Sequence, residues 1–320
     1  MLATIVYSYV LLFFMAKTVD CLCSCEEPDS NFSAGVNLLY YKCNNETPAT
    51  IAYPITKPEG ILSVLDKNKR TIFYIFGYMQ APEKPNVELM MKALCFGRTD
   101  NIVLLDWSNY TTGLYPKVFS NGEKVARLLA ICLNKLGDNG FNISNNIYII
   151  GFSIGAHIAG HAAKCSKYEI SRITGLDPAN CIFYPTGCYL EKNDASFIDI
   201  IHTDMGGFGS LSLEQDTNIP TCLSPMGTLE IFVNGGHRIQ PGCPLLESSL
   251  STDPSSLFCS HSKAVVIYTR TKYYPTQTMA NKKCSSYLAY LLDLCENVMV
   301  PFGYAAENIT GSYYYKTGPL

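Results

Sequence analysis

Charge is scarce in this chain and of neither sign in excess. Only 16% of its 320 residues are charged, 24 Lys and Arg against 27 Asp and Glu, for a formal net charge of −3. That balance offers no basic stripe, so nucleic acid or an acidic membrane surface is not the expected partner. Long apolar runs are missing as well. The longest, Ile5 to Ala16, holds twelve residues, well short of the roughly 20 needed to span a bilayer, so no transmembrane segment is expected. Histidine occurs five times, too sparsely to suggest a metal centre, and no metal or cofactor is expected. No repeat, low-complexity tract or Pro/Gly-rich linker breaks the sequence. One domain is therefore expected over residues 21–320.

Cysteine, by contrast, is abundant. The apolar stretch at the start gives way to polar sequence at Lys17, and Ala16-Lys17-Thr18 forms a small-residue cleavage site. Residues 1–20 thus read as a secretory signal peptide, cut somewhere between 18 and 23, although no Lys or Arg precedes the apolar run. With that leader, fourteen cysteines imply an oxidising compartment and a disulfide framework. Five N-x-[ST] sequons, at Asn31, Asn45, Asn109, Asn142 and Asn308, are candidate glycosylation sites of a secreted protein.

From about residue 37, strand and helix patterns alternate. Strands are expected at 36–41, 71–76, 102–106, 147–150, 170–176, 197–201 and 229–233. Several are nearly continuous apolar runs, as strands buried on both faces should be. A helix is expected over 122–136, where Val125, Leu128, Leu129, Cys132, Leu133 and Leu136 share one face. A shorter one is expected over 86–94. This alternation argues for an α/β fold with a mostly parallel sheet and helices on both faces.

The most informative stretch is Gly151-Phe152-Ser153-Ile154-Gly155, entered by the apolar run 147–150 and left by the small-residue run 156–163. G-x-S-x-G between a strand and a helix is the setting of a nucleophile elbow, where a serine is lifted clear of the sheet on a sharp turn. The two glycines admit neighbouring backbone, and the following helix aims unpaired N–H groups at developing negative charge. Serine needs a base, and the base an orienting acid. Asp177 ends the apolar run 170–176, so it lies at the sheet edge that carries Ser153, and Pro178 fixes its turn. Five histidines compete for the base. His157 and His161 lie on the helix that leaves the elbow, and His237 sits in an exposed Gly-Gly-His turn. His261, last in chain order and beside Cys259, stands first, with His202, at a strand end, as its rival.

These segments resemble the pancreatic lipase family, in particular its single-domain secreted branch of arthropod lipases and venom phospholipase A1 enzymes. The resemblance runs from about residue 37 onward. It is carried by Gly-Phe-Ser-Ile-Gly-Ala-His (151–157), Arg-Ile-Thr-Gly-Leu-Asp-Pro-Ala (172–179), Ile-His-Thr-Asp (201–204), Phe-Val-Asn-Gly-Gly (232–236), Gln-Pro-Gly-Cys (240–243) and Cys-Ser-His-Ser (259–262). Val-Leu-Leu-Asp-Trp-Ser (103–108) and Gly-Ser-Tyr-Tyr-Tyr (311–315) add to it. It implies an α/β-hydrolase fold, a triad of Ser153, Asp177 and His261, and a backbone oxyanion hole from the N–H groups of Ile154 and Tyr78. It also implies a lid closed by a Cys243–Cys259 disulfide, with Cys181–Cys188 as a further candidate clip. The lid, 244–258, is short and holds Leu245, Leu246, Leu250, Leu257 and Phe258. Asp194 falls near a calcium-binding turn of some relatives, but its surroundings differ and no metal is expected there. No C-terminal lipid-binding domain is expected. Two positions depart from the family pattern: Phe76 and Phe152 stand where histidine is usual. The implied function is a secreted, monomeric serine carboxylic ester hydrolase (a lipase or phospholipase A1) acting on lipid at a membrane, micelle or droplet interface. The rival from another class is a non-catalytic lipid-binding or yolk-type storage protein on the same fold.

Overall fold

The apolar runs become the centre of a sheet. The computed structural model describes residues 23–43, 49–181, 186–212, 225–245 and 257–320; the expected signal peptide and Asn45 lie outside them. In chain order the strands are β1 (Asn37–Lys42), β2 (Ala49–Pro54), β3 (Thr71–Ile75), β4 (Asn101–Asp106), β5 (Ile147–Phe152), β6 (Arg172–Leu176), β7 (Phe197–His202), β8 (Leu229–Val233), β9 (Met279–Lys283), β10 (Glu296–Pro301) and β11 (Gly311–Tyr315). They form one sheet in the order β10-β9-β11-β8-β7-β6-β5-β3-β4-β1-β2. From β4 through β3, β5, β6, β7 and β8 to β11 every pairing is parallel. Antiparallel strands close both edges. In β3, β5, β6, β7 and β8 every residue is buried, which is why their sequences read as unbroken apolar runs.

Four long helices cover the sheet: α1 (Pro85–Cys95), α2 (Tyr115–Asp138), α3 (Ile154–Cys165) and α4 (Cys259–Tyr273). Helix α2 starts seven residues before the expected 122, because Pro116 opens its first turn, where a fixed φ and a missing N–H cost nothing. Helices α2 and α3 pack together, as do α1 and α4. The strand order explains the two pairs. The chain moves one way along the sheet from β3 to β4, then reverses past β3 to β5 and β6. Right-handed crossovers in opposite directions place α1 on one face and α2 and α3 on the other.

That reversal also positions the site. The connections leaving β3 and β5, adjacent parallel strands, depart to opposite faces, so a crevice opens between their carboxyl ends. Gly77 follows β3 and Ser153 follows β5, and both lie at that crevice.

Strands β2, β9, β10 and β11 were not expected from the sequence. In β2 and β10 most residues are exposed or half-buried, so no continuous apolar run marks them. Pairing with an already formed edge makes them strands.

Candidate active site

The turn after β5 is the elbow the motif called for. Ser153 caps α3 with φ 58° and ψ −123°, a conformation unfavourable for a side-chain-bearing residue. The surrounding glycines make it possible. A Cβ on Gly155 would meet the Ile75 carbonyl oxygen at 2.1 Å, and one on Gly151 the Gly155 oxygen at 2.4 Å. No side chain caps the start of α3 at Ile154, and the Ala156 N–H bonds the Ser153 carbonyl at 3.1 Å. Across the crevice, a Cβ on Gly77 would lie 2.7 Å from Ser153 Cβ and 3.2 Å from Oγ. The Gly77-Tyr78 backbone therefore crosses the elbow at contact distance. The Tyr78 hydroxyl donates to the Gly113 carbonyl at 2.9 Å, which ties this loop to the one entering α2.

Asp177 leaves β6 with φ 42° and is fully buried. Its Oδ2 lies 2.6 Å from His261 Nδ1. Its Oδ1 accepts from the backbone N–H groups of Thr203 at 2.9 Å and Asp204 at 3.1 Å. A carboxylate held by two amides and one imidazole is fixed in position. With Nδ1 engaged, the remaining ring nitrogen of His261 is the one available to a hydroxyl. Ser153 and His261 line the same small cavity, about 20 Å³, walled by Tyr78, Tyr115, Phe152, Phe208 and Phe258. Ser153, Asp177 and His261 are thus brought to one corner of the fold from the ends of β5 and β6 and the first turn of α4.

The rival histidines are occupied elsewhere. The His202 Nε2 is hydrogen-bonded to Glu230, and its ring stacks on Phe232 at 5.0 Å. The His157 Nε2 meets the Ala179 carbonyl at 2.6 Å while Nδ1 accepts from Leu190 N–H at 3.1 Å. Burial lowers its pKa from 6.5 to about 4. The His161 Nε2 meets the Ser24 carbonyl at 2.9 Å. His237, expected to be exposed, is half-buried: its Nδ1 meets the Met205 carbonyl at 3.1 Å and its ring abuts Tyr287. The loop 284–295, closed by its own disulfide, folds back to cover it.

Of the two departures from the family pattern, Phe152 lines the cavity and Phe76 belongs to the core beneath it. Phe76 is buried and stacks on Trp107 at 6.1 Å, whose Nε1 donates to the Phe76 carbonyl at 3.1 Å. The Phe152 ring lies 4.8 Å from that of His261.

Cys243 and Cys259 form a disulfide, so the strand-side and helix-side ends of the loop 244–258 are joined. Within it, Leu245 is exposed and Leu257 and Phe258 are half-buried; residues 246–256 lie outside the described residues. The Cys181–Cys188 pairing is corrected. Cys188 bonds Cys23 instead, and Cys181 is engaged in a different disulfide. Together with Cys25–Cys165, the Cys23 bond staples the N-terminal segment across the end of α3, an arrangement that needs sequence partners more than 100 residues apart. Cys43–Cys95 and Cys284–Cys295 complete the pairs among the described residues, where Cys132 is the free, buried thiol. The Asp194 carboxylate is filled by the Lys164 ammonium at 2.5 and 2.6 Å and by the Glu191 N–H at 2.8 Å. Even so, burial raises its pKa to about 6. Asn31, Asn109, Asn142 and Asn308 are all exposed, although the Asn109 amide donates to the Gly35 carbonyl at 3.1 Å. No helix among the described residues is long and apolar enough to cross a membrane.

The sequence reading missed a second tier of the site. Phe208 and Tyr115 wall the cavity, Gly209 approaches Asp177 so closely that a Cβ would lie 2.7 Å from its oxygens, and Asp204 and Arg238 pair directly behind it. Of these, only Asp204 stood in a noted motif, Ile-His-Thr-Asp.

Comparison with known proteins agrees with this geometry. The Lipase family model matches residues 23–314. Lipase member H of Oryctolagus cuniculus is 30% identical over 284 residues, covering 85% of this chain and 58% of the relative. Phospholipase A1 member A of Rattus norvegicus is 32% identical over 235 residues, 72% of this chain and 48% of the relative. Pancreatic triacylglycerol lipase of Mus musculus is 30% identical over 280 residues, 82% and 57% respectively. The chain spans about half the length of the curated relatives it matches. With a match that runs from the first disulfide cysteine to the last strand, the chain belongs to the lipase family, that of the pancreatic lipases.

Proposed function

We propose that this protein is a secreted serine hydrolase that cleaves acyl esters of lipids through an acyl-enzyme at Ser153. The ester carbonyl would sit between Ser153 Oγ and the N–H groups of Ile154 and Tyr78. His261 takes the hydroxyl proton as Oγ attacks, then passes it to the departing alcohol. Water, deprotonated by the same imidazole, later releases the fatty acid. Asp177 holds the imidazole tautomer and its positive charge, and two backbone amides stabilise the tetrahedral oxyanion, each worth about 3 kcal/mol at the transition state. The observation that carries the reading is the 2.6 Å contact of His261 Nδ1 with Asp177 Oδ2 behind a strained serine that shares a cavity with that histidine.

Lipid as the substrate class is supported by the aromatic wall of the cavity and by a second groove of about 390 Å³ that shares Gln80, Phe258 and Ser262 with it. The disulfides fit an oxidising, extracellular setting. Relatives named for phospholipase A1 and for triacylglycerol lipase activity match about equally, so phosphatidylcholine and trioleoylglycerol are the two substrates to compare. Labelling by a fluorophosphonate probe tests the chemistry directly. Labelling of the wild type and none of Ser153→Ala is expected, whereas an inert wild-type serine would favour a lipid carrier on this fold.

A further inference from the structure

Two carboxylates, rather than one, stand beside the His261 imidazole. Single side-chain atoms of Asp177, Asp204 and His261 all lie within 4.8 Å of one another, and all three residues are buried. Asp204 takes no bond from the imidazole. Its Oδ1 accepts from Arg238 Nε and its Oδ2 from Arg238 Nη2, both at 2.6 Å. The Phe208 N–H donates to the same Oδ2 at 3.2 Å. The Arg238 guanidinium lies 5.1 Å from the centre of the Phe208 ring, and that ring is 6.1 Å from His261 in the cavity wall. Meanwhile the Asp204 N–H holds Asp177 Oδ1. One side chain from the turn after β8 therefore grips an acid from the turn after β7, and that acid touches both the triad carboxylate and the cavity wall.

We propose that Arg238 and Asp204 are positioning residues that leave Asp177 as the one uncompensated negative charge among the described residues acting on His261, and that set Phe208 against the imidazole. The inference rests on the triad reading above. A buried carboxylate this close would otherwise stabilise the imidazolium of the resting enzyme and so withdraw the base. The bidentate guanidinium cancels that charge while keeping the backbone contact to Asp177. Among the described residues, the other elements around His261 contribute little charge. The β5 turn presents Ser153 and Phe152, and the β3 loop Tyr78 and Gln80. On the same helix, Lys263 points to the Leu320 carbonyl at 2.6 Å. Glu230 is engaged by His202 behind β7.

The test is an NMR titration of the His261 ring in the full chain, in a Ser153→Ala background, where no turnover is needed. Arg238→Met is expected to move the titration to higher pH by about one unit, and Asp204→Asn to move it lower, within the 1–3 units typical of a charge at this range. The double variant Arg238→Met/Asp204→Asn is expected to return to the parent. The same signs are expected in the acid limb of kcat/KM for a water-soluble p-nitrophenyl ester with Ser153 intact. Shifts absent in both single variants, or of the same sign, would overturn the proposal. Should Arg238→Met not fold, Asp204→Asn alone decides: no downward shift rejects it. An enzyme that hydrolyses no ester would remove the functional reading but leave the NMR result to stand by itself.

Discussion

Gly77 crosses Ser153 at contact distance: a Cβ on the glycine would lie 2.7 Å from the serine Cβ and 3.1 Å from the Phe152 carbonyl oxygen. Two loops from adjacent strands are pressed together here, and the only space between them is what a missing side chain provides. Gly77→Ala must push the Tyr78 amide away from the elbow. A displacement of this kind should lower kcat for a soluble ester by about a hundredfold. The near-native circular dichroism of the variant would show that loop placement, not folding, was lost; an unchanged kcat would refute this account of the glycine.

The separate environments of His261, in the first turn of α4, and His202, at the end of β7, give the sharpest test of the base. His261 contacts Asp177 at 2.6 Å, whereas His202 is committed to Glu230. His261→Ala should reduce kcat by a factor of about 10⁴ or more, and Asp177→Asn by about 10⁴, as in other triads. His202→Ala should act mainly on the midpoint of thermal unfolding. Steady-state kinetics of the three variants check this, and a reversed order for the two histidines would mean the wrong one has been assigned.

His157 makes stability depend on pH. Burial holds its folded pKa near 4, below the unfolded 6.5. Between these values the unfolded chain binds more protons, so stability rises with pH across that window and is lost as pH falls through it. The full difference corresponds to about 3 kcal/mol. Urea midpoints taken from pH 7 to pH 4 should fall steadily, and His157→Gln should flatten the dependence. An equal slope in the variant would place the effect elsewhere.

The Arg172–Asp199 pair lies far below the site, where β6 and β7 begin. Arg172 Nε and Nη2 each donate to one Asp199 oxygen at 2.9 Å, and Thr174 donates to Oδ1 at 2.6 Å. Arg172→Met strands a fully buried carboxylate, which costs about 3–5 kcal/mol. Arg172→Met/Asp199→Asn should recover much of that loss. Chemical denaturation of both variants provides the measurement, and a single variant as stable as the parent would contradict the argument.

Much of the architecture was legible because burial leaves a pattern in the residues themselves. Strands β3 to β8 are covered on both faces, and each reads as an apolar run; β8 was read to the residue. The elbow was legible for a different reason, since Gly151, Ser153 and Gly155 are required by local backbone geometry. The edge strands were not, because β2 and β10 carry mixed, half-exposed residues whose conformation is set by the neighbour they pair with. The Cys23–Cys188 bond escaped too, as pairing depends on Cα atoms brought to 5.6 Å by the fold, and no spacing encodes that.

The sequence by itself determined the local matters: which segments are buried, where the serine must be raised, and which acid ends a strand at the same edge. Only the tertiary structure decided which histidine meets that acid, where Cys188 bonds, and that Arg238 and Asp204 stand behind Asp177. Those outcomes follow from the order of strands in the sheet, which joins residues 84 positions apart through one 2.6 Å contact. Long-range proximity is a property of the packed whole, and no periodicity within a single segment carries it.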